Sequence, residues 1–140
     1  MNRSRTISRI IAMIILYNYE INNILDIEGI KKLISEEDVS YDDAFINELV
    51  NGVINALDEI DYLISVNLQN YTIQRLSVVD RNLIRIGVYE FLYTTTPVNI
   101  IINEIIDITK VYSETDDYQS SKFNNSLLDK IAKGVRDGKQ

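Results

Sequence analysis

The segment SVVDRNLIRIGVYEFLY, residues 77–93, gives the strongest indication of the fold in this chain. Apolar residues occupy most positions around a helix drawn through it, which is typical of a helix buried on several sides. Ser77 stands three residues before Asp80, an approximate capping box that marks a helix start. Gly87 lies in mid-helix, where it costs roughly 1 kcal/mol relative to Ala. We therefore expect a central helix whose glycine admits the close approach of a neighbour.

Helical periodicity continues outside this segment. Between residues 97 and 112, Ile101 and Ile105 begin an apolar stripe at helical spacing. Ser40 followed by Asp43 repeats the pattern of a hydroxyl and an acid that starts a helix. Alternation of apolar and polar residues is nowhere sustained enough to favour a strand. The sequence predicts an all-α fold of about seven helices.

A polar break at residues 67–72 divides the helical pattern into two parts. A chain of 140 residues, 46% of them hydrophobic, is long enough to bury about 68% of its unfolded surface. The break contains neither Pro nor Gly, so it does not resemble a flexible linker. We expect one domain of two packed helical subdomains, an N-terminal one of about residues 1–70 and a C-terminal one of about residues 71–140.

The distribution of charge is uneven along the chain. The formal net charge is −7, yet Arg3, Arg5 and Arg9 all precede the first acidic residue, Glu20. An acidic protein repels a polyanion everywhere except at such a basic end, so these arginines suggest contact with RNA or DNA phosphates. The alternative is that they form a solubilising helix end.

Composition excludes several classes of active site. The chain has no Cys and no His, which removes disulfides, thiolate nucleophiles and the commonest zinc ligands. Its five glycines are isolated from one another, so no phosphate-binding glycine loop is present. The apolar run at residues 10–17 is too short for a membrane span of about 20 residues. We expect a cytoplasmic protein with no catalytic residues, no metal site, no cofactor and no membrane contact.

An ordered series of motifs resembles the NusB family of bacterial transcription antitermination factors. The motifs are LSVVDRNLIRIGVYE at 76–90, Pro97, INE at 102–104, KFNN at 122–125 and LDK at 128–130. The resemblance implies a non-catalytic helical protein that binds the boxA segment of nascent, single-stranded RNA. It also implies a protein partner, the small-subunit ribosomal protein that acts as Nus factor E. The pair is expected to join elongating RNA polymerase in an antitermination complex, most notably on ribosomal RNA operons.

The resemblance also assigns candidate RNA contacts. Tyr17 and Phe123 supply aromatic rings that could stack on bases, although each could instead be partly buried, Phe123 by plugging the start of the last helix. Guanidinium groups bind phosphates with two hydrogen bonds. The candidate RNA-binding residues are Arg3, Arg5, Arg9, Tyr17, Lys122, Phe123 and Asn124.

A second set of residues is assigned to the protein partner. Asp80 matches an acidic family position on the surface that faces the ribosomal protein, and an acid suits a basic partner. Arg81 and Glu104 are predicted to belong to the same surface. The alternative is structural: Asp80 caps its own helix together with Ser77, while Arg81 and Glu104 pair with other charges or with helix ends.

Some positions depart from the family pattern. Ser126 stands where the family usually has Gly, and Gln119 stands where it often has an acid. The family often has a denser arginine cluster than this chain. The alternative function is therefore a non-enzymatic helical protein-interaction module with little intrinsic RNA binding. The resemblance leaves open whether the free protein is a monomer or a homodimer.

Overall fold

The computed structural model describes residues 3–115 and 117–136. This part of the chain contains seven α-helices, one short 3₁₀ helix at Ile73–Arg75 and no strand, which confirms the predicted all-α fold. The α-helices are α1 Arg3–Asn22, α2 Ile27–Ser35, α3 Asp43–Asn55, α4 Leu57–Asn67, α5 Val78–Tyr93, α6 Val98–Tyr112 and α7 Gln119–Val135.

The helices form two compact units, divided between Asn55 and Ala56. This division lies earlier than the predicted boundary near residue 70. The reason is that α4 packs against α5 and α7, so it belongs to the second unit. A polar break in the sequence marks where a helix ends, but it does not tell which neighbours that helix packs against.

In the first unit, α1 packs against both α2 and α3. Ile11 and Ile15 of α1 and Ile46 and Leu49 of α3 are fully buried. Because a buried aliphatic side chain contributes roughly 1.5–3 kcal/mol, these four residues supply much of the stability of this unit.

A buried lysine joins α2 to α3. Lys31 is 3% exposed, and its Nζ lies 2.9 Å from Glu28 Oε2 and 2.5 Å from Asp43 Oδ1. Burial alone lowers the pKa of Lys31, but hydrogen bonds to Asp43 and Glu28 outweigh burial and raise this pKa above its ordinary value. The ammonium group therefore stays charged at neutral pH and holds the start of α3 against α2.

The second unit is built around α5, which contacts α4, α6 and α7. The predicted central helix is thus confirmed. A Cβ added at Gly87 would lie 3.1 Å from Leu128 Cδ2 and 3.4 Å from Ile105 Cγ1. The absence of a side chain at Gly87 therefore lets α6 and α7 pack closely against α5, as predicted from its mid-helix position.

Capping residues were predicted for the starts of α5 and α3. The prediction is confirmed for α5 and is wrong for α3. Ser77 Oγ accepts a hydrogen bond of 3.1 Å from the Asp80 amide and caps α5, as predicted. At α3 the cap is Asp42, whose Oδ1 accepts from the Phe45 amide at 3.1 Å, and Ser40 lies outside the helix. Both Asp and Ser are good caps, so the spacing alone did not distinguish them.

The end of α5 is held by a single arginine at the end of α7. The Arg136 guanidinium donates to the backbone oxygens of Glu90, Phe91, Thr94 and Thr96 at 2.6–3.0 Å. These carbonyls include orphan acceptors that the end of a helix leaves without backbone partners. The cation also lies at the negative end of the helix dipole, which is favourable.

We expect Gly87→Val to lower the free energy of unfolding by about 1–3 kcal/mol, because the larger side chain must displace Leu128 and Ile105. Gly134→Ala is the matched control: no described atom lies within 4 Å of an added Cβ. There the change should raise stability by roughly 0.5–1 kcal/mol through helix propensity. Urea denaturation followed by circular dichroism measures both, and equal midpoints for the two variants would contradict the packing role of Gly87.

Candidate nucleic-acid interface

Arg3 and Arg5 lie in the first turn of α1. Arg3 is exposed, and the Arg5 side chain is 40% exposed. Arg5 Nε lies 3.5 Å from Asp42 Oδ2, and its guanidinium carbon lies 3.8 Å from the centroid of the Phe45 ring. The Arg5 guanidinium is therefore partly engaged by Asp42 and Phe45 of its own unit. Its side chain remains partly exposed to solvent, where it could bind a phosphate.

Arg9 has a different environment from the two preceding arginines. It is 3% exposed, and its guanidinium carbon lies 5.1 Å from the same Phe45 ring. Arg9 lies one turn after Arg5, on the face of α1 that packs against α3. The structure therefore gives Arg9 a packing role, and its predicted contact with RNA is not supported by its burial.

Tyr17 lies near the other end of α1 and is 40% exposed. It lies twelve positions after Arg5, which corresponds to about 18 Å along a helix axis. Its ring is thus accessible to a base, while the neighbouring Leu16 is buried in the core. Tyr17 is therefore not enclosed in the core with Leu16, and its contact with a base stays a prediction.

In the second unit, Phe123 belongs to an aromatic cluster that we define as Tyr71, Arg75 and Phe123. The rings of Tyr71 and Phe123 have centroids 5.6 Å apart and are tilted by 51°. The Arg75 guanidinium carbon lies 5.2 Å from the Tyr71 centroid. Phe123 remains 42% exposed and Tyr71 37% exposed. The cluster therefore presents two aromatic rings and a cation to solvent, the combination that binds single-stranded nucleic acid.

Lys122 is exposed beside Phe123, but an acid is close to it. The pKa of Asp117 is held below its ordinary value, mainly by the hydrogen bond from the Thr115 hydroxyl. Desolvation raises this pKa, whereas the Gln119 amide and Lys122 lower it further. Asp117 is thus ionised throughout the neutral range. It lowers the positive potential that Lys122 offers to a phosphate.

The first turn of α7 has internal hydrogen-bond partners. Glu114 Oε2 accepts from the Ser121 amide at 2.8 Å, and Glu114 Oε1 accepts from the Ser121 hydroxyl at 2.7 Å. A helix start with free amides can bind a phosphate. Here the Glu114 carboxylate occupies that position, so the Ser121 amide is not available to a phosphate.

Asn124 is 1% exposed and faces the interior of the second unit. Its Nδ2 donates to Asp80 Oδ1 at 3.0 Å, and the Ser113 hydroxyl donates to the same oxygen at 2.5 Å. Asp80 is itself only 9% exposed. The predicted direct contact of Asn124 with RNA is therefore not supported: its side chain instead joins α7 to the start of α5 and the end of α6.

The other two residues predicted to contact a protein partner are also buried. Arg81 is 9% exposed, and its Nη1 donates to the backbone oxygens of Ile73 and Leu76 at 3.1 and 3.0 Å. Glu104 is 5% exposed on α6. Arg81 thus closes the turn before α5. The burial of these charges favours the structural alternative over direct partner contact.

The residues predicted from the sequence do not include Tyr71, Arg75 or Lys130. The structure places the first two in the aromatic cluster. Tyr71 and Arg75 lie at and after the polar break, an aromatic followed four residues later by a cation. Lys130 follows Phe123 by seven residues on α7 and thus shares its helix face. The helical spacing could have indicated Lys130. Helical spacing could not have predicted the contact between Tyr71 and Phe123, because these residues lie far apart in the chain.

Residues 3–115 and 117–136 lack two further kinds of feature. This part of the chain contains no group of three or more Asp, Glu, His or Cys residues that could hold a metal ion. None of its helices is both long enough and apolar enough to cross a membrane.

Sequence comparisons agree with one another. The family profile described as the NusB family matches residues 6–133. The transcription antitermination protein NusB of Macrococcus caseolyticus is 35% identical over 131 residues, which are 93% of this chain and 97% of that protein. The protein of the same name from Listeria monocytogenes is 39% identical over 122 residues, 86% of this chain and 90% of the relative.

Solved structures give the same result for the fold. T. maritima NusB superposes with a TM-score of 0.79 at 35% identity, covering 99% of this chain and 98% of that one. A crystal structure of the antitermination factors NusB and NusE in complex with double-stranded RNA includes a chain with a TM-score of 0.77 at 29% identity. That alignment covers 96% of this chain and 99% of the other.

We expect Asn124→Ala to lower the free energy of unfolding by about 1–2 kcal/mol, because Asp80 loses a buried hydrogen-bond donor. The loss is moderated because Asn124 Oδ1 is buried without a partner among the described residues, and the substitution removes that unsatisfied acceptor too. Asn125→Ala is the control, since the neighbouring side chain is exposed and should change stability by less than about 0.5 kcal/mol. Equal urea midpoints for the two variants would show that the bond to Asp80 contributes nothing.

Proposed function

This chain belongs to the NusB family of transcription antitermination proteins, and we propose that it binds a boxA-type segment of nascent single-stranded RNA. The observation that most favours this proposal is the exposed aromatic cluster with Lys122 beside it, on a chain whose formal net charge is −7. Exposed rings flanked by cations attract a polyanion and stack on its bases. Arg3 and Arg5 add accessible cations in the first unit, and Tyr17 adds a ring.

We further propose that a small-subunit ribosomal protein, Nus factor E, binds together with the RNA. The similar chain solved with NusE and double-stranded RNA supports this partnership. In this proposal Asp80 and Arg81 act by holding the start of α5 in place, through the bonds from Ser113 and Asn124 to Asp80 and from Arg81 to the preceding turn. Glu104 is buried on α6 and acts from inside the unit. The complex would then join elongating RNA polymerase in the cytoplasm and resist termination, most notably on ribosomal RNA operons. The role requires no catalysis.

A second candidate function is a non-enzymatic protein-interaction module with little RNA binding. The pairing of Arg5 with Asp42 and the occupation of the α7 start by Glu114 favour it, because both features reduce the positive charge available to RNA. Its signature is a stable protein partner together with weak, salt-insensitive RNA binding.

One titration separates the two functions. Labelled boxA-like and scrambled RNA are titrated with and without the ribosomal protein at two salt concentrations. The RNA-binding function predicts preference for the boxA-like sequence, tighter binding with the partner and a clear loss of affinity at higher salt. Undetectable binding of boxA-like RNA with the partner present would reject it.

We expect the double change Arg3→Ala with Arg5→Ala to reduce the salt slope of RNA binding by roughly 1.4, because each phosphate contact on a single strand contributes about 0.7. The slope is measured by fluorescence anisotropy over a series of salt concentrations. The control double variant, Lys32→Ala with Lys110→Ala, removes the same charge from exposed sites outside the candidate interface. A slope that falls equally in both variants would mean that only net charge matters.

A further inference from the structure

A groove of about 460 Å³ lies between the start of α6 and the C-terminal half of α7 in the second unit. Its volume falls in the range of roughly 300–1,000 Å³ that binding clefts have. Ile102 and Ala132, 8% and 2% exposed, give it an apolar floor. Asp129 and Lys133 line it six and ten positions after Phe123, about 9 and 15 Å further along the helix axis. The groove is therefore separate from the aromatic cluster.

Two exposed carboxamides stand at the edge of this groove. Asn99 and Asn103 line it from α6, and because they are four positions apart they share one helix face. Neither side chain forms a hydrogen bond with another residue within 3–115 or 117–136. A carboxamide carries both a donor and an acceptor, so each one can bind the N–H and the C=O of a single peptide residue.

The spacing of the two carboxamides matches an extended peptide. Four positions of a helix correspond to about 6 Å along its axis, and two residues of an extended chain span about 6.5 Å. The N–H and C=O of alternate residues in such a chain point to the same side. Asn99 and Asn103 can therefore bind alternate residues of one segment. A helical partner could not use them in this way, because its backbone groups are already bonded within the helix.

The charges around the groove limit the choice of occupant. Lys133 Nζ lies 3.2 Å from Asp129 Oδ2, so the two charged residues that line it are paired with each other. The other described lining residues are uncharged. An RNA strand would thus meet no unpaired cation there, and a basic ribosomal protein would meet no unpaired acid. A neutral rim favours an uncharged occupant.

We propose that this groove binds an uncharged, extended segment of another protein. Two alternate residues of the segment bind Asn99 and Asn103 through their main chain, and an apolar side chain packs on Ile102 and Ala132. Main-chain hydrogen bonds supply affinity in this mode of recognition, and the floor supplies selectivity for the side chain. The proposal adds a partner site to those for RNA and the ribosomal protein, and it does not depend on RNA binding.

The probe is a library of random eight-residue peptides without charged residues, displayed on phage and selected against the full chain. Phage that also bind the double variant Asn99→Ala with Asn103→Ala are removed. Because Ala is the better helix former, this variant should keep its fold, which thermal unfolding checks. The control double variant, Asn51→Ala with Asn125→Ala, removes the same two side chains from exposed helical positions outside the groove.

The selected peptides are synthesised with a fluorescent label, and their binding is measured by anisotropy. Asn99→Ala and Asn103→Ala should each weaken binding by roughly 5- to 150-fold, because each removes two hydrogen bonds. The control double variant should bind as the unchanged protein does. N-methylation of one peptide amide at a time should weaken binding by roughly 2- to 13-fold at two alternate residues and have little effect at the residue between them. That alternation is the signature of an extended main chain.

The remaining outcomes identify other occupants. Absence of any peptide after the removal step, or sensitivity to N-methylation at positions three or four apart, would overturn the proposal. A dimer of the unchanged protein that the Asn99→Ala, Asn103→Ala variant cannot form in sedimentation experiments would overturn it in favour of a second copy. Weaker binding of the ribosomal protein by this variant would overturn it in favour of that protein. Binding of boxA-type RNA with the ribosomal protein should be unchanged in the variant, which would support a separate site.

Discussion

The hydrogen bonds that Asp80 accepts from Ser113 and Asn124 determine how three helices of the second unit meet. One carboxylate oxygen joins the start of α5 to the end of α6 and to the second turn of α7. Charge-assisted bonds of this kind are about twice as strong as neutral ones, and a buried carboxylate without partners would be costly. This interaction fixes the orientation of α7, and because Phe123 precedes Asn124, it also fixes which residues of α7 face outward.

The candidate interface follows from that orientation. Asn124 faces inward, so Phe123 is turned outward, where it meets the Tyr71 ring. The same face of α7 carries Lys130 two turns later. Acidic residues limit the positive charge of this region: Glu114 binds the first turn of α7, and Asp117 stays ionised beside Lys122. Shape and stacking therefore have to supply much of any specificity, with charge contributing mainly to attraction.

The fold could be predicted from the sequence to a large extent, because apolar periodicity and capping residues are local signals. Residues 77–93 indicated a central helix, and Gly87 indicated close packing that the structure contains. The site was less predictable, because burial of a polar side chain depends on distant partners. Asn124 and Asp80 are 44 positions apart in the chain, and nothing near either residue in the sequence indicates that they meet. Tyr71 and Phe123 are likewise far apart in the chain, and only tertiary packing brings their rings together.

The bonds of Arg136 have a consequence for biosynthesis. Its guanidinium reaches carbonyls 40–46 residues earlier in the chain, so the end of α5 cannot acquire these partners until the ribosome has passed Arg136. The first unit differs, since its helices α1, α2 and α3 are all complete by Asn55. During translation the N-terminal unit can therefore assemble early, whereas the C-terminal unit is completed only when α7 packs against α4, α5 and α6.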